Sequence, residues 1–200
     1  MYTLINGSSK IVPSNSFYFL NYISKDLEQF KIVSLKNDNY KDIINSVEKS
    51  RVLVLAFPLY VDSPNTWTLK FLDYIFDKKM NLNNKKLYVI INCGFKEGEH
   101  NLTALNIIKA WCERVNIDYY GALLIGAGEV VGDKKYRFLS NSVHKYLNKL
   151  SKSIKREEIF NDTITTMDLL TNKMYCKIAN IFWTKSAKKN GLIKKNILEE

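Results

Sequence analysis

The feature that most constrains this chain is the run Val52-Leu53-Val54-Leu55-Ala56-Phe57, apolar at every position and closed by Pro58. A strand with one wet face alternates apolar and polar residues. An unbroken run of this length is what a central parallel strand shows when both of its faces are buried. Such a strand requires helices on each side of the sheet, and its parallel neighbours must be reached through helical crossovers.

The flanking sequence supplies them. Tyr2 to Asn6 is a short apolar strand, Phe17 to Leu27 has helical spacing, and Phe30 to Leu35 reads as a second strand. Asp42 to Lys49 is a short helix ahead of the buried run. Beyond Pro58, Asn65 to Phe76 is the next helix and Leu87 to Asn92 the fourth strand. Leu102 to Val115 is a helix, Tyr119 to Ile125 the fifth strand and Lys134 to Lys152 a further helix. Residues 1–152 are therefore expected to form an α/β domain around a doubly wound, five-stranded parallel sheet. Residues 153–200 break the alternation. Ile164 to Leu170, then Tyr175, Ile178, Ala179, Phe182 and Trp183 at helical spacing, then Lys185 to Gly191, predict a C-terminal helical extension. It is expected to end at a glycine cap and to pack on the domain or on a dimer partner.

Two hundred residues with 46% hydrophobic content suffice for one domain with a substantial core. No run approaches the roughly 18 apolar residues of a membrane span, and no basic flank with an apolar signal core opens the chain. A cytoplasmic location is expected. Cys93, Cys112 and Cys176 are far apart and odd in number, which fits reduced thiols better than a disulfide framework or a zinc or iron–sulfur site. The net charge of +10 is uneven: residues 134–200 hold 15 basic and 6 acidic residues, residues 1–133 hold 15 and 14. The basic third reads either as solvated helix faces or as a surface for an anionic partner.

Ligands of open α/β sheets sit beyond the carboxyl ends of the strands, where the strand order reverses. Three loops matter on that ground. After the first strand, Gly7-Ser8-Ser9-Lys10 passes through Ile11, Val12 and Pro13 to Ser14-Asn15-Ser16 at a helix start. Hydroxyls and helix-terminal N–H groups aimed at one point hold an anion without a metal. The absence of G-x-x-x-x-G-K-[ST] and of a three-glycine fingerprint argues against a nucleoside triphosphate or a dinucleotide, and a monophosphate such as that of FMN suits the loop. The same residues also read as a plain turn before a capped helix. After the third strand, Pro58-Leu59-Tyr60-Val61-Asp62-Ser63-Pro64 reads as an ordinary connection or as a shelf for a flat heterocycle, with Pro58 ending the strand and Pro64 in the first helical turn. After the fourth, Asn92-Cys93-Gly94-Phe95 offers close backbone approach and a stacking ring. His100 is the formal base for Cys93, with no orienting third group in the sequence. Gly126 to Gly132, after the fifth strand, reads as a close-packed loop on the outer rim of the site.

Together, Asn6-Gly7-Ser8-Ser9-Lys10 with Ser14-Asn15-Ser16, Pro58 to Pro64 with Lys70 downstream, and Asn92 to Phe95 resemble the NADPH-dependent FMN reductase and NAD(P)H-quinone reductase family of flavodoxin-like proteins. The resemblance covers about residues 1–150, and Tyr175 to Leu192 resembles the C-terminus of one branch of that family. It implies a flavodoxin-like fold, FMN as cofactor and NADPH or NADH as co-substrate. Ser8, Lys10, Ser14, Asn15 and Ser16 would surround the FMN phosphate. Leu59, Tyr60 and Val61, shaped by Pro58, would face the isoalloxazine, and Asn92, Cys93, Gly94 and Phe95 would line its pyrimidine side. Ser9-Lys10 stands where many members carry Pro-Arg, and the compact cysteine cluster of the iron–sulfur branch is absent.

The activity so implied is hydride transfer from nicotinamide to flavin N5 and onward reduction of a small-molecule acceptor: a quinone, a nitroaromatic or a flavin. No side-chain acid or base is required, a homodimer is the family habit, and no nucleic-acid partner is expected. A flavodoxin-type electron carrier and a flavin-free interaction protein on the same fold are the alternatives.

Overall fold

The computed structural model describes residues 1–10, 14–36, 38–132, 140–167 and 171–192. Two compact units are present, Met1–Met167 and Asp168–Glu200.

In the larger unit, β1 (Tyr2–Asn6), β2 (Phe30–Ser34), β3 (Val52–Tyr60), β5 (Lys86–Asn92), β6 (Asp118–Ile125) and β7 (Thr163–Thr165) form a parallel sheet in the order β2-β1-β3-β5-β6-β7. The five expected strands are all present. The sheet is nevertheless wider than expected, because Thr163–Thr165, in the stretch expected to be helical, pairs with Leu123–Ile125 as a sixth parallel strand. Three residues are too short to give a period. Their place is set by the neighbouring Asp162, which takes the Ala122 N–H at 2.9 Å and the Tyr119 hydroxyl and pairs with Lys109 at 2.5 Å.

The period-2 alternation of β3 explains both layers. Leu53, Leu55 and Phe57 point to one face, where they join Ile43 and Val47 of α2 (Tyr40–Lys49), Phe71, Leu72 and Ile75 of α3 (Thr66–Asp77), and Leu105, Ile108 and Cys112 of α4 (Leu102–Val115). Val54 and Ala56 point to the other, covered by α1 (Asn15–Ile23) and α6 (Asn141–Arg156), which touch each other as well as the sheet. Tyr18 and Tyr22 of α1 meet His144 and Asn148 of α6 one turn apart, through hydrogen bonds of 2.7 and 3.1 Å. The expected helix over 134–152 starts at Asn141 among the described residues; its first part, with Ile11, Val12, Pro13 and Leu170, lies outside them.

Pro58 does not end the third strand. β3 runs through it in register with Asn92, and Leu59 and Tyr60 pair antiparallel with β4 (Ser63–Pro64). Val61 and Asp62 form the two-residue tip with φ of 49° and 54°, the left-handed pair that a tight hairpin demands. Pro64 is therefore in a strand, and α3 starts after Asn65, whose side chain caps it. Gly128–Gly132, expected as loop, forms a single helical turn, α5.

The smaller unit contains α7 (Asn172–Lys189). Thr171 caps its start, and its end closes as expected on glycine: Gly191 has φ of 81°, its N–H donates to Lys188 O, and Leu192 N–H donates to Ala187 O. No helix among the described residues is long and apolar enough to cross a membrane.

Candidate functional site

The strand order reverses at β1, whose chain leaves to β2 on one side while β3 lies on the other. Beyond the carboxyl ends of β1, β3 and β5 lies a cleft of about 130 Å³ lined by Ser8, Lys10, Asn15, Ser16, Pro58, Leu59, Tyr60, Asn92, Cys93, Gly94 and Glu129. Ten of these residues come from the three loops singled out in the sequence; Glu129 is the addition.

The first wall is the turn after β1. Gly7 is required there for packing, since a Cβ would lie 2.4 Å from Thr68 Oγ1 and 3.0 Å from Phe57 Cβ. Its carbonyl receives Asn65 Nδ2 at 2.6 Å, so the residue that caps α3 also fixes the turn. The Ser8 N–H donates to Asn6 Oδ1 at 3.1 Å, and the Lys10 N–H to Ser8 Oγ at 3.2 Å. The loop is tied outward by Lys36 Nζ to Ser9 O at 2.6 Å and by the Ser9 and Tyr60 hydroxyls at 3.1 Å. Ser14 is the N-cap of α1, accepting the Phe17 N–H at 3.2 Å, and does not line the cleft. Asn15 and Ser16, in the first turn of α1, do.

The second wall is the end of β3, with Pro58, Leu59 and Tyr60; Val61 sits at the hairpin tip, 98% exposed and outside the lining. The third is the end of β5. Asn92 is buried and donates from Nδ2 to Ser16 Oγ and to Phe57 O, both at 3.1 Å, so one amide joins all three loops' supports. The backbone of Cys93 is engaged on both sides, its N–H by Ile125 O at 3.0 Å and its carbonyl by the Gly128 N–H at 2.8 Å. Burial pushes the Cys93 thiol above its ordinary value, partly offset by hydrogen bonds from its surroundings, so it stays protonated at neutral pH. His100 stacks on Phe95 with ring centroids 4.3 Å apart, and Phe95 is half exposed and outside the lining. A Cβ at Gly94 would meet nothing within 4 Å, leaving open space over that loop.

Glu129, on α5, faces Lys10 with Oε1 3.7 Å from Nζ. The sequence placed the 126–132 segment on the rim without singling out this carboxylate, and spacing alone carried no signal for it. The glycines there are close-packed as expected: a Cβ at Gly126 would lie 2.0 Å from Lys96 O, and one at Gly128 would lie 3.0 Å from the Asn92 side chain.

No family model matches the sequence, and no curated protein matches it. Solved structures do. The NADPH-quinone reductase of P. pentosaceus superposes over 78% of this chain and 97% of its own, at 13% identity and a TM-score of 0.59. General stress protein 14 of Treponema denticola, solved in complex with FMN, superposes over 76% and 98%, at 12% identity and a TM-score of 0.57. In rubredoxin oxygen:oxidoreductase of Desulfovibrio gigas the match covers 78% of this chain but 35% of that one, at 12% identity and a TM-score of 0.58. With the central strand order β2-β1-β3-β5-β6 and the cleft at the reversal, the chain has the flavodoxin-like fold.

Proposed function

We propose that this protein is an FMN-dependent NAD(P)H oxidoreductase of the FMN reductase and quinone reductase type, reducing a small acceptor such as a quinone, a nitroaromatic or a free flavin. The observation that carries the reading is the convergence of Ser8, Lys10, Asn15 and Ser16, of Pro58, Leu59 and Tyr60, and of Asn92, Cys93 and Gly94, from three separate loops, on one cleft. The NADPH-quinone reductase and the FMN-bound stress protein, which share the fold, support it.

The donors fit a phosphate. Ser8 and Ser16 are nearly fully buried, and each hydroxyl oxygen accepts an internal hydrogen bond, so its O–H is directed elsewhere and can donate to an anion. Asn15 and Ser16 lie in the first turn of α1, where the helix dipole adds partial positive charge, and Lys10 adds a full one. Ser14 acts through the cap it provides. Pro58, Leu59 and Tyr60 form one side for a flat ring, and Asn92, Cys93 and Gly94 the other, with Val61 and Phe95 assigned to its exposed edges. When bound, FMN supplies the redox chemistry, accepting a hydride from NADH or NADPH and passing two electrons to the acceptor. The chain's part is to bind, orient and shield; the Cys93 thiol, protonated and hydrogen-bonded, adds no nucleophile.

We assign the working form to a cytoplasmic homodimer with the unit from Asp168 onward as its extension; Ile181, Phe182 and Trp183 on α7 give that extension an apolar surface.

The test is titration with FMN, followed by anaerobic addition of NADH or NADPH. Saturation near one FMN per chain and direct bleaching of flavin absorbance are the expected results. FMN fluorescence unchanged at micromolar protein would overturn the flavin reading, and bound flavin inert to both nicotinamides would move the assignment to an electron carrier.

A further inference from the structure

Among the described residues, Lys10 is the one basic side chain lining the cleft and Glu129 the one acidic side chain. They face each other at 3.7 Å, both about half exposed. A site shaped only for tight hold on a phosphate dianion would leave its cation unpaired. Here the cation already has a partner.

The pairing is built into the backbone on both sides. Lys10 sits on the turn held by its own N–H to Ser8 Oγ, by Lys36 to Ser9 O and by Ser9 to Tyr60. Glu129 sits on α5, whose entry is fixed by the Ala127 N–H to Phe95 O and the Gly128 N–H to Cys93 O, with buried Ala127 at φ of 55°. α5 also packs on α1, at whose start Asn15 and Ser16 lie. The carboxylate is thus carried on a fixed element to the lysine that an incoming phosphate needs.

We propose that Glu129 is an internal competitor for Lys10: it sets the affinity for the phosphate of the flavin and keeps that ligand exchangeable, so that FMN is taken up and released by the protein instead of being permanently held. This rests on the FMN reading of the cleft. A phosphate entering the site must take Lys10 from Glu129 and then sit near a residual negative charge. Each effect is modest for half-exposed groups, and their sum gives a several-fold weakening that salt reduces.

The experiment compares FMN with riboflavin, which lacks the phosphate, by fluorescence titration of the wild type, Glu129→Gln, Lys10→Gln and the double variant, with thermal melts to confirm that each is folded. Glu129→Gln is expected to tighten FMN about threefold to tenfold and slow its release, with riboflavin changed less than about twofold. Lys10→Gln should weaken FMN, and on that background the second substitution should give most of its gain back. At about 0.5 M salt the gain should shrink. Glu129→Ala should act with the same sign, which guards against a folding defect peculiar to the amide. Unchanged FMN affinity in Glu129→Gln, or equal shifts for both flavins, overturns the competitor role while leaving FMN binding intact. A wild type that binds neither flavin overturns the functional reading, and this inference with it.

Discussion

Replacing Asn92 by Ala removes a buried side chain that holds the three walls of the cleft in register. Asn92 is 3% exposed, and its Nδ2 donates to Ser16 Oγ on α1 and to Phe57 O on β3, both at 3.1 Å. Two buried hydrogen bonds at about 0.5–1.5 kcal/mol each give a loss of about 1–3 kcal/mol. For a chain of this size that is a fall in Tm of roughly 2–12 °C. A second variant separates this account from simple loss of volume. Asn92→Asp keeps the shape but presents an acceptor to the Phe57 carbonyl, in a place where burial raises a carboxyl pKa. A group whose folded pKa is raised above the unfolded value of about 3.9 favours the folded state when protonated, and that contribution is lost as pH rises through the raised value. Relative to the wild type, Asn92→Asp should therefore be most destabilised near neutral pH and recover towards about pH 4, where the protonated carboxyl can donate one of the missing bonds. Differential scanning fluorimetry across pH, with FMN titration at each point, reads both effects. A Tm for Asn92→Ala within about 1 °C of wild type, or a deficit in Asn92→Asp that does not vary with pH, would refute the reasoning.

Three further outcomes are expected. Ser16→Ala, losing a donor to a charged oxygen worth roughly 1.5–3 kcal/mol, should weaken FMN about tenfold to a hundredfold and riboflavin hardly at all; equal losses would mean that the residue shapes the fold instead of meeting the phosphate. Gly121→Ala should fail to give a stable protein, as judged by urea melts, because φ is +118° and a Cβ would lie 1.7 Å from Phe160 O. Lys86→Met should destabilise in a pH-dependent way. Burial alone would raise the Glu157 carboxyl, but the hydrogen bond and charge of Lys86, with Arg51, hold it below the usual range, so its contribution is present above the unfolded carboxylate pKa and lost as pH falls through the folded one. The Lys86 pKa is raised chiefly by the hydrogen bond to Glu157, and its share is lost only as pH rises through the alkaline range. The stability gap between wild type and variant should be wide at neutral pH and narrow as pH falls through the carboxylate range; a gap that does not narrow is packing, not charge.

The parts of the fold that were legible in the sequence are those where burial writes a period. The continuous run in β3 and the 3.6-residue spacing of α4, read at Leu102–Val115 and found there, needed no tertiary information. Gly191 marked the end of α7 because only a left-handed residue closes that hydrogen-bond pattern cheaply. What was not legible depends on partners distant in sequence. β7 is three residues long and is a strand only because β6 lies beside it. Pro58 and Pro64 look like breaks, yet both are paired in strands, since the hairpin turns on Val61 and Asp62, neither of which announces a positive φ. The cleft was largely legible as three loops, but the roles within it were not. Ser8, Ser14 and Ser16 are alike in sequence, and only the hydrogen bonds separate a cap at Ser14 from two cleft hydroxyls at Ser8 and Ser16. Glu129 gave no signal, and Asn65 was legible as a helix start but not as the anchor of the Gly7 turn, because these roles lie in what crosses the cleft or the turn to meet them.

The two ends of the sheet divide the work. At the amino ends of the strands, charges lock the chain together: Glu157 receives both Arg51, ahead of β3, and Lys86, at the start of β5, while Lys85 Nζ donates to Glu48 O and Ser50 O at 2.8 and 2.6 Å. At the carboxyl ends the polar groups serve mainly to aim loops, and the ion pair there bridges a cleft instead of closing a joint. A substitution at the first end should change stability without changing phosphate recognition, whereas removal of a cleft hydroxyl at the second should change recognition more than stability; Asn92, buried beneath the cleft, is the support that serves both. Lys86→Met and Ser16→Ala are therefore a matched pair. If Lys86→Met shifts FMN affinity relative to riboflavin as strongly as Ser16→Ala does, the two ends are coupled through the sheet, and a loop-by-loop account of the cleft fails for that reason.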